Sequence, residues 1–156
     1  MRCRNEEVEI SMTRTTAREI AVRLCFCISE NPMDAGELIE QFFEPIYYAT
    51  LKDEDSKYEE MPDERSLEYI SRLIKGIHDH SAEIDGYIEK HAKGWKFGRI
   101  SRTAVAIMKS AMFEVLYMPD IPNKAAINEA VELSKRYEPP ETVSFVNGIL
   151  GSFVRG

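Results

Sequence analysis

The sequence predicts an all-α protein of about seven helices, and three observations carry that expectation. Apolar residues recur at spacings of three and four along most of the chain, as Ala17, Ile20, Ala21, Leu24, Cys25 and Ile28 do near its start. Alternation of β-branched residues with a period of two never lasts beyond a few positions, so no sheet is expected. Prolines and capping residues fall between the periodic stretches, where a helix must start or stop.

Taken in order, the first helix ends at Asn31-Pro32, and a second, shorter one runs from about Asp34 to Phe43. The acidic stretch DEDSKYEEMPDE (53–64) follows, with Pro45 and Pro62 at its flanks, and reads as a solvated loop. Asp63 caps a third helix through Leu67, Ile70, Leu73, Ile74 and Ile77. Ser81 caps a fourth through Ile84, Tyr87 and Ile88, which ends near Gly94. The fifth begins between Gly98 and Ser101 and carries Ile100, Ala104, Ile107, Met108, Ala111 and Val115 on one stripe until Pro119. Asn123 caps the sixth, and Pro139-Pro140 separate it from the seventh, since proline is tolerated only in a helix's first turn.

A chain of 156 residues suits one domain that buries its core without metal or disulfide. Residues 1–12 precede the periodic pattern and are expected to form a mobile extension, leaving 13–156 as a single helical domain. No apolar run approaches the roughly 20 residues that span a bilayer. The start, MRCRNEEVEIS, is too charged for a signal peptide, so no membrane and a cytoplasmic location are expected. Cys3, Cys25 and Cys27 cannot all pair within one chain and read as reduced and structural. The net charge of −7 argues against a nucleic-acid partner, but its distribution does not. Residues 91–109 hold Lys93, Lys96, Arg99, Arg102 and Lys109 and no carboxylate. An acidic chain can therefore own a basic face.

Catalytic chemistry finds no constellation. His78 and His80 lie two apart on a helix and point away from each other, so they cannot share a metal, and His91 sits near a helix end. GWKFG (94–98) follows no strand and lacks the spacing of a phosphate-cradling loop. Neither metal nor cofactor is expected, and the protein is read as a non-enzyme. Arg14 and Arg18, four apart, lie on one flank of the first apolar stripe, where both guanidinium groups could reach one surface. Trp95 and Phe97 between lysines suit single-stranded RNA, which is bound by charge and stacking, although core packing is the ordinary role of a lone tryptophan. Asn128 and Asn147 follow Ile127 and Val146 inside apolar helical patterns. They are read as buried amides that satisfy backbone groups where helices meet, with RNA contact by Asn147 as the alternative.

AREIAV (17–22), Trp95, Arg99, AIMKSAMFE (106–114), IPNKAAINEAVELSKRY (121–137) and FVNGIL (145–150) together resemble the NusB family of transcription antitermination factors, from about Thr13 to Leu150. The resemblance implies seven helices in two small antiparallel bundles and no catalytic activity. It also implies binding to the boxA element of nascent ribosomal RNA as a heterodimer with NusE, a small-subunit ribosomal protein, within an RNA polymerase antitermination complex. Arg14, Arg18, Glu141 and Phe145 match RNA-binding or RNA-proximal positions of the family, while Thr15 and Thr16 stand where arginines are often found. Phe26 matches a NusE-proximal position that is often Tyr. Ala104 and Val105 stand where an acid and a base often contact NusE, and Gly151 where Asp is usual. Two other readings are an N-terminal domain of a ribosomal RNA cytosine methyltransferase, which is NusB-like, and a helical scaffold that binds protein only.

Overall fold

The computed structural model describes residues 12–30, 34–92, 94 and 100–156. Of the expected mobile extension, only Met12 falls among these, half-buried against the core. Lys93, Trp95, Lys96, Phe97 and Arg99 lie outside the described residues.

The described residues form eight α-helices and no strand: α1 (Arg14–Glu30), α2 (Ala35–Phe42), α3 (Pro45–Thr50), α4 (Glu64–Asp79), α5 (Ser81–His91), α6 (Arg102–Tyr117), α7 (Asn123–Tyr137) and α8 (Pro140–Arg155). Helix α1 lies against α4 and α6, α2 rests on α4, α6 contacts α7 and α8, and α5 packs on α6 and α8. Helix α6 thus touches α1, α4, α5, α7 and α8. Its buried set runs through Ala104, Ala106, Ile107, Met108, Ala111, Met112 and Phe113, which cover more than the one stripe expected. A helix enclosed on several sides must be apolar on several sides.

The caps explain where most helices begin. Thr13 Oγ1 accepts the Thr16 amide at 3.1 Å, Asp34 accepts from Gly36 and Glu37, Asp63 from Ser66, and Ser101 from Ala104. Two expected caps shift by one residue. Pro122, not Asn123, precedes α7, and its carbonyl accepts the Ala126 amide at 3.0 Å. His80, not Ser81, is the junction that ends α4 and begins α5. Helix α5 stops at His91, and Gly94 takes φ +84°, a left-handed conformation natural for glycine after a helix end.

The solvated loop expected after α2 is a correction. Pro45 is the first residue of α3, where its missing N–H costs nothing, and the Glu44 carboxylate accepts the Tyr47 amide at 2.8 Å. Two 3-10 turns follow, Leu51–Asp53 and Ser56–Tyr58. Tyr48, Leu51 and Tyr58 are buried, and the rings of Phe42, Phe43, Tyr48 and Tyr58 meet at centroid distances of 5.0–6.2 Å. Aromatic burial orders this segment while its carboxylates stay in solvent.

Candidate nucleic-acid interface

Helix α1 supplies the predicted RNA side chains, and its sequence sends them to different places. Successive helical residues point about 100° apart, so Arg18 and Glu19 leave the helix on two flanks. Arg18 is only 6% exposed, and its Nε and Nη2 donate to the two oxygens of Glu114 at 2.8 and 2.9 Å. Glu114 on α6 is 0% exposed and also accepts from the Tyr69 hydroxyl of α4. Arg18 Nη1 lies 3.4 Å from Glu129 of α7. Burial alone would lower the Arg18 pKa, but the Glu114 hydrogen bond and the surrounding negative groups raise it instead. Arg18 is therefore a buried clamp between α1, α4, α6 and α7, and the shared surface expected for Arg14 and Arg18 is corrected. Glu19, on the other flank, accepts from Arg136 Nη1 at 2.7 Å and from the Tyr137 hydroxyl, with Lys57 Nζ at 3.3 Å.

Arg14, one turn earlier, is exposed, and its Cζ lies over the Tyr69 ring, 4.1 Å from the centroid. Beside it the Thr15 hydroxyl donates to Glu129 at 2.9 Å. Across α7, an open groove between α7 and α8 is lined by Val131, Lys135, Glu138, Pro140, Val143, Ser144 and Asn147. Lys135 also lines the hollow containing Thr15 and Arg18, so it links the two depressions. Glu141 is exposed in the first turn of α8, whereas Phe145, one turn on, is 6% exposed and turned inward. The Phe145 ring therefore offers no open face for stacking. Asn128 and Asn147 are both exposed, which corrects the expectation of buried amides. Asn147 is instead a polar group on the groove wall. Lys109, from the basic cluster, pairs with Asp85 at 3.1 Å.

The predicted partner positions also separate. Phe26 is half-buried and lines a cavity of about 290 Å³ with Val22, Arg23, Lys57, Tyr58, Thr103 and Tyr137. Ala104 is 0% exposed, directed into the core that α6 shares with its neighbours, so it offers a partner no surface. Its neighbour Thr103 reaches the cavity instead. Cys25 is buried, and burial pushes its thiol up to about 12, which suits an inert structural thiol.

Glu19, Tyr69 and Glu114 receive no role from the sequence. A signal is present: Glu114 is the lone carboxylate of an apolar helix, and a buried charge needs a buried counter-charge. The tyrosines that face these carboxylates give a measurable consequence. Burial and the Glu114 charge raise the Tyr69 pKa above its ordinary 10.0, and burial and the Glu19 hydrogen bond do the same for Tyr137. Burial, with the Tyr58 charge, pushes Tyr48 up to about 12. A raised folded-state pKa contributes stability that is full below the unfolded value and lost as pH rises through the folded one. Urea midpoints should therefore begin to fall above about pH 8.5, where the buried Cys25 thiol starts to favour the unfolded chain, and fall more steeply above about pH 10, with the steeper part shallower in Tyr69→Phe. A midpoint that stays flat through the tyrosine range would contradict these environments.

Comparison with known proteins follows the same lines. Residues 15–155 match the NusB family. The chain is 41% identical over 144 residues to the transcription antitermination protein NusB of Acetivibrio thermocellus, covering 92% of this chain and 90% of that protein. It is 33% identical over 144 residues to the transcription antitermination protein NusB of Clostridium novyi, covering 92% and 99% respectively. Among solved structures, T. maritima NusB superposes with a TM-score of 0.68 at 26% identity, covering 94% of this chain and 93% of that one. Both ends of the Arg18–Glu114 clamp lie inside the matched span, and the chain belongs to the NusB family.

Proposed function

We propose that this protein is a non-enzymatic, cytoplasmic transcription antitermination factor that binds boxA-type single-stranded RNA together with NusE as part of an RNA polymerase antitermination complex. The observation that carries the reading is the near end-to-end match to relatives named transcription antitermination protein NusB. Arg14, Lys135 and Asn147 offer charge and hydrogen-bonding groups along the path from α1 across α7 to α8, and the cavity beside Phe26 suits a protein partner. Carboxylates dilute the RNA path, because Glu129, Glu132, Glu138 and Glu141 line or flank it. The free protein should therefore bind RNA weakly, with NusE supplying further basic surface.

The test is RNA titration with and without NusE from the same organism. Coupling between the two ligands should amount to about 1–3 kcal/mol and be reciprocal, so that RNA tightens NusE binding as much as NusE tightens RNA binding. Arg14→Glu should weaken RNA binding and lower the slope of log affinity against log salt by about 0.7. Absence of RNA binding even with NusE present would overturn the reading.

A further inference from the structure

We infer that the Tyr69 ring is a platform that holds the Arg14 guanidinium ready for a phosphate of bound RNA; the inference rests on the RNA-binding reading above. Arg14 stands in the first turn of α1, exposed, with its Cζ 4.1 Å from the ring centroid. It has no hydrogen bond or ion pair among the described residues. With its Cζ over the ring, the guanidinium keeps N–H donors that no described residue engages, and such a fork can meet a phosphate two donors at a time.

The platform itself is fixed. Tyr69 is 3% exposed, and its hydroxyl donates to Glu114, whose carboxylate is gripped by the Arg18 fork. A free arginine on a surface gives up the rotamer freedom of a long side chain when it binds. One already resting on an immobile ring gives up less, so part of the ordering precedes the ligand. The buried clamp and the exposed arginine are thus two levels of one device: Arg18 and Glu114 position Tyr69, and Tyr69 positions Arg14. Tyr69 is a positioning residue, because Arg14 covers it.

The test is a double-mutant cycle on the full chain with a boxA-type single-stranded RNA at low salt. Tyr69→Leu should weaken RNA binding by about two- to five-fold, the range of an exposed cation–π contact. Tyr69→Phe keeps the buried ring but loses the bond to Glu114 that helps to fix it, and should keep most of the affinity. In an Arg14→Ala background, Tyr69→Leu should have no further effect. If Tyr69→Leu weakens binding equally with and without Arg14, the residue acts through general structure and the platform is overturned. If Arg14→Ala weakens binding and Tyr69→Leu does not, the platform fails while the RNA reading stands. If Arg14→Ala leaves affinity unchanged, the RNA contact of α1 fails and takes the platform with it. An NMR titration of the wild type guards against a leucine variant that does not fold. The Arg14 δ-protons should carry an upfield ring-current shift that persists at RNA saturation, and its loss on binding would show that the arginine leaves the ring.

Discussion

Arg18→Met and Glu114→Gln should each lower the free energy of unfolding by about 3–5 kcal/mol, because each strands a buried partner. Arg18→Met leaves the Glu114 carboxylate, which is fully buried, with the Tyr69 hydroxyl as its remaining hydrogen-bond donor among the described residues. Glu114→Gln is the milder of the two, since Arg18 keeps Glu129 at 3.4 Å and can still donate to the amide oxygen. Replacing both partners by apolar residues of similar volume should recover most of the loss, since desolvation of an ion pair offsets much of its attraction. Urea denaturation followed by circular dichroism measures all three variants. Single variants within about 1 kcal/mol of the wild type would mean that the clamp is solvated in solution. The same geometry bears on the RNA measurements. Reversing Arg14 and Arg18 together would disturb folding and binding at once, so Arg14 alone is the informative position.

The helical periods are legible because each main helix buries a face wide enough to impose spacings of three and four. Ile70, Leu73, Ile74 and Ile77 on α4 are all buried, as their spacing predicts. The α3 segment is not legible, for the opposite reason. Its buried residues, Tyr48, Leu51 and Tyr58, are sparse among carboxylates, and the signal of charge outweighs that of periodicity. Residues 34–64 carry eleven carboxylates against two lysines, so this segment holds more negative charge than the whole chain's net. Elsewhere the balance is slightly basic.

Less of the site than of the fold is legible, and side-chain direction is the cause. Asn147 follows the fully buried Val146, but one residue along a helix is a turn of about 100°, and that is enough to carry the amide into solvent. Arg18 lies one turn from Arg14 on the same flank, yet α6, α7 and α4 close over it and leave Arg14 outside. Which arginine is covered depends on neighbours more than fifty residues away in sequence. A helical period records the buried face of one helix and carries no information on how far the next helix extends over it. Ala104 shows the same limit, since only the enclosure of α6 on several sides makes that position interior.

The same substitution at two glycines should have opposite signs, and Gly76→Ala should be the damaging one. Gly76 lies in α4 where that helix meets α6, and a Cβ there would stand 2.1 Å from Phe113 Cζ and 2.3 Å from Cε1. No real carbon contact is so short, so the ring must move. Phe113 is buried and packs at centroid distances of 5.2 Å from Tyr117 and 6.1 Å from His80, while His80 and Tyr117 stack at 4.2 Å. Displacing it therefore disturbs the junction between α4 and α5. Overpacking of this kind costs about 3 kcal/mol at the upper end of its usual range, and the better helix propensity of alanine returns about 1, for a net loss of about 2. Gly86 lies on the exposed side of α5, where an added methyl carbon would meet nothing within 4 Å, so Gly86→Ala should stabilise by about 0.5–1 kcal/mol through propensity alone. Phe113→Leu in the Gly76→Ala background should restore part of the loss by making room, although alone it opens a void and destabilises. Melting curves of the four variants decide the matter: equal effects at Gly76 and Gly86, or no coupling between positions 76 and 113, would show that α4 and α6 lie farther apart than the glycine contact requires.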